Sequence, residues 1–181
     1  MGFYFIALIP PEALCERIWI LKLEIADKYG AKNALKLPAH ITLQIPFRIN
    51  DKEESGLLEL LKDFASKQHN FGVVVSGFRK FSNRVIFADV ETKQPVIEVF
   101  EKLQNKLSIH LNLKDHEKAT EIHPHFTLAS RDLGHRNFPL AWADFKDREF
   151  QDSFQATSIF LLKHNGKNWD IFKEFEFANP V

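Results

Sequence analysis

Two stretches of the chain carry the same short pattern. Residues 37–47 read LPAHITLQIPF, and residues 120–130 read TEIHPHFTLAS. In both, apolar and polar side chains alternate, which is typical of a half-buried β-strand. Within each stretch a histidine is followed two residues later by a threonine. We therefore expect two strands that present the same pair of polar side chains.

The two pairs are His40 with Thr42 and His125 with Thr127. The chain has eight histidines and five threonines. Random placement would give roughly 0.2 pairs at this spacing, so one pair alone would carry no information. Two pairs at equivalent places indicate a shared function.

The chemistry of the pairs follows from their spacing. Side chains two residues apart on a strand point to one face, so each histidine lies beside its threonine while the apolar residue between them packs behind. An imidazole titrates near neutral pH, so one ring can be a neutral base while its partner is a protonated acid. This arrangement suits in-line displacement at phosphorus, with the threonine hydroxyls binding the non-bridging oxygens.

The first half of the chain predicts the order strand, helix, strand, helix, strand. Residues 3–9 are an apolar run that leads into a helix starting at Pro11 and ending at Gly30. Its apolar stripe at helical spacing comprises Leu14, Ile18, Leu21 and Ile25. After the strand at residues 37–47, a second stripe of Leu57, Leu61 and Phe64 predicts a helix that ends near His69. Residues 71–81 then return as a strand.

The second half predicts the same order again. Strands are expected at residues 84–90, 120–130 and 153–162, with a short helix at 138–145. A longer helix is indicated by the stripe of Val96, Phe100, Leu103, Leu107 and Leu111. Asn165-Gly166 is a hairpin signal, so residues 169–177 should fold back as an edge strand.

These elements predict an α+β fold with two lobes. The repeated order indicates a duplicated, pseudo-twofold arrangement, in which each lobe is a mainly antiparallel sheet with helices outside and a central cleft between the lobes. We expect one bilobal domain over residues 1–181, with approximate repeat units at 1–82 and 83–165 and a C-terminal edge strand at 168–178.

Composition restricts the possible partners. Lys plus Arg and Asp plus Glu both number 24, so no net field attracts the whole protein to nucleic acid or to an anionic membrane. Cys15 is the single cysteine, which excludes an internal disulfide and a thiolate metal cluster. The apolar run at residues 3–9 has no basic leader, and no segment approaches the roughly 20 apolar residues needed to span a bilayer. We expect a cytoplasmic protein without a membrane partner.

The two His-x-Thr-hydrophobic motifs, one in each predicted lobe, resemble those of the two-histidine (2H) phosphoesterase superfamily. The resemblance extends over nearly the whole chain and points to the bacterial branch called 2'-5' RNA ligase-like. It implies a bilobal fold and metal-independent hydrolysis of a 2',3'-cyclic or related phosphate on an RNA end or a nucleotide, without a cofactor or an obligate protein partner. Some relatives catalyse RNA 2'-5' ligation.

Carried over by position, the resemblance implies that His40 and His125 are the catalytic residues and that Thr42 and Thr127 bind the substrate phosphate. It further implies that the first histidine is the acid and the second the base. One departure concerns an arginine that many relatives carry five residues after the second histidine. Here that position is Ser130, and the arginine is Arg131.

Two further residues are candidate accessories to the site. Strict alternation would place Arg131 on the same strand face as His125, at the rim of the cleft, where it could bind phosphate or be a solvated strand end. His123 would share that face across Pro124, so it could orient the catalytic ring, line the pocket or have a structural role.

Three alternatives stay open at this stage. His40, His123 and His125 could form a metal site, although no recognisable ligand spacing accompanies them. The same four polar side chains could catalyse RNA 2'-5' ligation, with a 5'-hydroxyl in place of water. The protein could also bind RNA ends without catalysis. Stacking of a base on Tyr4, Phe47 or Phe81 is less expected than burial of these rings.

Overall fold

The computed structural model describes residues 1–178. Four α-helices lie at Glu12–Tyr29 (α1), Glu54–Ala65 (α2), Lys93–His110 (α3) and Gly134–Phe145 (α4). The strands are Gly2–Leu8 (β1), Ile41–Ile49 (β2), Phe71–Phe81 (β3), Val85–Val90 (β4), His125–Ala129 (β5), Gln151–Ala156 (β6), Ser158–His164 (β7) and Trp169–Glu176 (β8). Within the described residues, no helix is long and apolar enough to cross a membrane.

The strands form two antiparallel sheets of four strands each, in the orders β2-β1-β7-β8 and β5-β4-β3-β6. The sheets have matching construction, because β1 and β4 each pair with the strand that follows the next helix in the chain. β2 and β5 therefore occupy equivalent edge positions. This arrangement confirms the predicted α+β fold with duplicated lobes.

The boundaries of the first helix agree with the sequence. Pro11 precedes α1, and Gly30 ends it with φ of 76°, a left-handed conformation that costs glycine little. The residues of the predicted stripe are all buried. The sequence pattern thus predicts both where this helix stops and which face it buries.

The C-terminal hairpin also forms as expected, with a longer loop than its dipeptide signal indicates. His164 pairs with Trp169, so four residues form the connection. The Asn165 side chain accepts hydrogen bonds from the backbone N–H groups of Lys167 and Asn168, at 2.9 and 2.8 Å. These local bonds stabilise a wider turn than the two-residue type.

Three predicted strand boundaries are wrong. The strand expected at 37–47 begins at Ile41, because a 3-10 turn at Asn33–Lys36 and Pro38 precede it. The strand expected at 120–130 is limited to β5. The strand expected at 153–162 is interrupted at Thr157 and is two strands, β6 and β7, in different sheets. In each case the alternation of apolar and polar residues extends beyond the residues whose backbone pairs in a sheet.

The sheets do not coincide with consecutive halves of the chain. β3 belongs to the first predicted repeat unit but pairs with β4 and β6, while β7 returns beside β1. One sheet is therefore built from both ends of the described chain and the other from its middle. Each lobe therefore contains one strand that the order of elements alone would assign to the other lobe.

Most buried apolar residues form one core shared by both sheets and all four helices. A smaller cluster of Phe5, Ala7 and Leu162 lies on the other face of the first sheet. Tyr4 and Ile6 belong to the main core, so successive side chains of β1 pack on opposite faces as a strand requires. His40 lies next to the sheet face that this smaller cluster covers.

Candidate active site

His40 lies directly before β2 instead of within it. Its Nδ1 donates a hydrogen bond to the carbonyl oxygen of Pro38 at 2.9 Å. The ring packs against Phe5 of the neighbouring strand β1, with 5.0 Å between the ring centroids. The Pro38 carbonyl and the Phe5 ring together fix the orientation of the imidazole.

His125 is the first residue of β5 and is held in the same way. Its Nδ1 donates to the carbonyl oxygen of His123 at 2.6 Å. Its ring contacts Phe81 and Phe87, at centroid distances of 5.0 and 4.9 Å. Each histidine thus bonds to the carbonyl two residues before it and packs on phenylalanine.

This shared geometry determines the tautomer. A carbonyl oxygen can only accept a hydrogen bond, so Nδ1 carries the proton in both neutral rings. Nε2 is then the basic nitrogen of each ring. Each ring can take up or release a proton at Nε2 while its Nδ1 anchor stays in place.

Thr42 and Thr127 lie two residues after the histidines and are partly exposed. They alternate with residues that are at most 1% exposed, namely Ile41, Leu43, Phe126 and Leu128. Thr42 pairs with Ala7 and Thr127 pairs with Phe87 in the two ladders. The hydroxyls therefore belong to the accessible faces of equivalent edge strands.

The elements that carry the two motifs contact each other. β5 packs against β2, against α1 and against the 3-10 turn that precedes His40. The two histidines, 85 residues apart in sequence, belong to one region of the fold.

The environment of His40 disfavours its charged form. Burial lowers the pKa of His40 to about 4, the bond to Pro38 opposes this, and the charges of Lys22 and His125 lower it further. Lys22 is a buried residue of α1, 2% exposed. Its Nζ donates to the carbonyl oxygens of Leu37 and Pro38, at 3.1 and 3.4 Å. Burial lowers the pKa of Lys22 to about 8.

The environment of His125 is different. Burial also lowers the pKa of His125, the hydrogen bond to the His123 carbonyl raises it, the charge of His123 lowers it, and the carboxylate of Asp89 raises it. Asp89 is 5% exposed and pairs with His125 in the ladder of β4 and β5. Its Oδ1 lies 3.1 Å from Nε2 of His123. One histidine thus has a buried cation nearby, and the other has a buried carboxylate.

His123 is not on the strand where it was predicted. It lies in the irregular segment before β5, with its ring 6.2 Å from that of His125. Its backbone carbonyl, and not its ring, contacts His125 through a hydrogen bond. Within residues 1–178, no group of three or more His, Cys, Asp or Glu side chains is arranged to hold a metal ion.

Arg131, one residue beyond the predicted strand, lies two residues beyond the observed one. β5 ends at Ala129, and Arg131 starts a 3-10 turn that runs into α4, so strand alternation no longer sets its direction. Arg131 lines an open cavity together with Asn83, Arg84, Gly134 and His135. His125 is not among the residues that line it. Arg131 lies outside β5, so the strand alternation on which its placement was predicted does not extend to it.

Comparison with known proteins gives the family. Residues 10–168, which contain both motifs, match the family described as the 2'-5' RNA ligase superfamily. The chain belongs to this superfamily. Superfamily membership and the two-sheet fold agree with the resemblance drawn from the motifs.

The chain is also similar to individual bacterial proteins. A Bacillus licheniformis protein provisionally named a phosphoesterase is 23% identical over 159 residues, which cover 84% of this chain and 89% of that protein. A Geobacillus kaustophilus protein with the same provisional name is 24% identical over 176 residues, covering 95% of this chain and 94% of that protein.

Two solved structures share the fold. TT0787 of Thermus thermophilus has a TM-score of 0.71 and 19% identity, with 100% of both chains covered. LigT of E. coli, in a crystal structure complexed with 3'-AMP, has a TM-score of 0.68 and 15% identity, with 98% of both chains covered.

Lys22 and Asp89 were not predicted as residues of the site from the sequence of this superfamily member. Lys22 follows Ile18 by four residues and so occupies a position of the apolar stripe. Asp89 interrupts an otherwise apolar strand. A charged residue at a position where the pattern requires an apolar one was the available signal. Tyr4 and Phe47 are core residues at 0% exposure, as expected.

Proposed function

We propose that this protein is a phosphodiesterase that opens a 2',3'-cyclic or related phosphate on an RNA end or a nucleotide. His40 and His125 transfer the protons, and Thr42 and Thr127 bind the phosphate oxygens. A water oxygen attacks phosphorus and gives a proton to one imidazole. One bond from phosphorus to a ribose oxygen breaks, and that oxygen takes a proton from the other imidazole. The product is a phosphate monoester with a free ribose hydroxyl.

The matched anchoring of the two imidazoles carries this proposal. In each case Nδ1 donates to the carbonyl two residues earlier, so both rings keep Nε2 for exchange. A nucleophile and a leaving group on opposite sides of one phosphorus need a base and an acid of this kind. The flanking hydroxyls would stabilise the charge that develops on the non-bridging oxygens.

The similar proteins support the choice of substrate. LigT of E. coli was crystallised with 3'-AMP, with phosphate and with ATP. The Bacillus and Geobacillus relatives are provisionally named phosphoesterases. A substrate that combines a ribose with an esterified phosphate is consistent with both observations.

The cavity at Arg131 favours an RNA end over a free nucleotide. Arg84 and Arg131 both line this cavity, with His135 beside them and no carboxylate side chain among the lining residues. We propose that Arg131 binds a backbone phosphate distant from the reacting one. Guanidinium groups suit this contact because they present several donors to phosphate oxygens.

RNA 2'-5' ligation is the second candidate, and the family description favours it. Ligation would use the same four side chains, with an RNA 5'-hydroxyl in place of water as the nucleophile: it attacks phosphorus, and one bond from phosphorus to a ribose oxygen breaks. Both reactions on an RNA end would use phosphate contacts and would weaken with salt, so the products separate the two. Ligation joins two RNAs, whereas hydrolysis leaves a phosphate monoester.

The proposal is tested by incubating the purified protein with 2',3'-cyclic mononucleotides and with short RNAs that end in a cyclic phosphate. We expect phosphate monoester products with both substrates, and faster turnover of the RNAs. His125→Ala, which lacks a proposed proton-transfer residue, is the negative control. His110→Ala, at the exposed end of α3, is the control that should keep the wild-type rate. No hydrolysis or ligation of either substrate class by the wild type would refute the proposed function.

A further inference from the structure

A cluster of charged side chains lies on the second sheet, beside His125. Its centre is Asp89 of β4, which is 5% exposed and pairs with His125 in the ladder. Three nitrogen atoms surround the carboxylate: Nε of Arg79 at 2.7 Å, Nε2 of His123 at 3.1 Å and Nζ of Lys93 at 3.7 Å. A buried carboxylate requires such partners, so it holds these side chains in place.

Arg79 is the most exposed member of this cluster. Its side chain is 68% exposed, although its Nε lies against a buried group. Within residues 1–178, Asp89 is its only ion-pair partner, and no described residue accepts a hydrogen bond from its terminal nitrogens. The guanidinium is therefore oriented from one side and keeps Nη1 and Nη2 for a ligand that arrives from solvent.

The register of the strands places Arg79 on the same sheet face as the second motif. Arg79 of β3 pairs with Phe87 of β4, and Phe87 pairs with Thr127 of β5. Residues directly opposite each other on antiparallel strands share a face. Phe81, two residues after Arg79, also shares it, and its ring lies 5.0 Å from that of His125. Arg79 therefore belongs to the surface on which a substrate of His125 would lie.

A guanidinium at this place is suited to a phosphate group. Arg79 and Lys93 are two cations that share one carboxylate, so their ion pairs leave positive charge over. Nη1 and Nη2 can donate in parallel to two oxygens of one phosphate, and the contact with Asp89 reduces the entropy lost on binding. Acidic and basic residues are equal in number in the chain, so attraction for RNA has to come from local clusters of this kind.

The position of Arg79 relative to the motif indicates which phosphate it contacts. Under the proposed function, the reacting phosphate lies at His125 and Thr127, on the edge strand β5. Arg79 is two strands further into the sheet, about 10 Å away at the backbone. Arg131 follows the end of β5 that is opposite to His125. The two guanidinium groups thus lie in different directions from the motif.

We propose that Arg79 is a substrate-binding residue that contacts the phosphodiester next to the cyclic phosphate of an RNA end, with Asp89 holding its guanidinium in place. This proposal rests on the proposed function and adds a substrate preference to it. A cyclic mononucleotide has no phosphodiester at that position and gains nothing from Arg79. The protein should therefore favour substrates of two or more nucleotides.

The test compares a 2',3'-cyclic mononucleotide with a dinucleotide that ends in the same cyclic phosphate. Arg79→Met should raise KM for the dinucleotide about tenfold with kcat within about twofold, and should change neither constant for the mononucleotide. Arg79→Lys keeps the charge but loses the planar pair of donors, so it should recover part of the lost affinity. Lys62→Met, which removes a charge at an exposed position of α2, should behave as the wild type with both substrates.

Binding without turnover separates this role from a structural one. The dissociation constant of a dinucleotide with a 3'-phosphate is measured across a salt series, where Arg79→Met should weaken binding and reduce the slope of log K against log salt by about 0.7. Equal changes in KM for both substrates, an unchanged KM for the dinucleotide, or a fall in kcat with both substrates would overturn the proposal and leave the proposed function standing. A wild type that turns over neither substrate would refute that function, and the salt series would still test Arg79.

Discussion

The carboxylate of Asp132 accepts a hydrogen bond from the backbone N–H of Lys32 at 2.6 Å. It accepts a second from the N–H of Asn33 at 2.7 Å. Lys32 and Asn33 start the 3-10 turn that leads to His40, and Asp132 follows the strand of His125. The segments that flank the two motifs are therefore bonded directly to each other.

This contact predicts that Asp132 sets the relative position of the two histidines. Asp132→Ala should lower kcat about tenfold, because a shift of the turn by about 1 Å misaligns acid and base. Asp132→Asn keeps an acceptor oxygen and should recover most of the rate. Asp147→Ala, at an exposed site on the same lobe, is the control. An Asp132→Ala enzyme with wild-type kcat would show that the contact does not position the site.

The low pKa of His40 predicts a loss of stability in acid. The folded pKa is about 4 and the unfolded value about 6.5, so the unfolded chain binds more protons between these pH values. Stability is therefore complete above pH 6.5 and falls as the pH approaches 4, by up to about 3 kcal/mol. Urea unfolding at pH 7 and pH 4.5 measures this difference.

His40→Gln is the matched variant for that measurement, because glutamine cannot take up the proton. Its free energy of unfolding should fall less than that of the wild type on acidification. His110→Gln, at an exposed site, should behave as the wild type. An equal fall in His40→Gln and the wild type would show that His40 is not the group responsible.

The threonines should matter less than the histidines. Thr42→Val or Thr127→Val removes one hydroxyl contact to a charged phosphate, a loss of about 1.5–3 kcal/mol or about 10- to 150-fold in rate. Thr120→Val, outside the motifs, is the matched control. Thermal unfolding should change little in the two strand variants, since valine suits a strand, and in Thr120→Val, because Thr120 is exposed and lies outside the strands. Rates equal to wild type would remove the threonines from the mechanism.

Turnover should survive chelation, because the imidazoles and hydroxyls supply an acid, a base and oxyanion contacts. Rates measured before and after EDTA treatment should agree within about twofold. Loss of activity in EDTA with recovery on addition of zinc or manganese would instead support the metal site considered from the sequence. That outcome would assign the histidines to coordination.

The fold could be predicted from local patterns because the spacing of apolar residues and the residues that end an element act over short distances in the sequence. The alternation around Thr42 and Thr127, the stripe of α1 and Gly30 each specify one element without knowledge of the rest. The exclusion of His40 and Arg131 from the strands could not be predicted in this way. Both depend on turns that are held from elsewhere, such as the one bonded to Asp132.

The electrostatic surroundings of the site could not be predicted either. Lys22 is 18 residues from His40 in sequence, and Asp89 is 36 from His125. Their effect depends on which side of α1 and of β4 faces each motif, which is a property of packing. The sequence shows only that two charges stand at positions where apolar residues are expected.

The most direct test of the two-histidine mechanism is the rate of cyclic phosphate hydrolysis by His40→Ala, by His125→Ala and by the double variant. Each single variant should lose about 10²- to 10⁴-fold, and the double variant should be little slower than either, because the pair acts as a unit. His110→Ala should keep the wild-type rate. If both single variants retain wild-type hydrolysis, the two-histidine account is wrong.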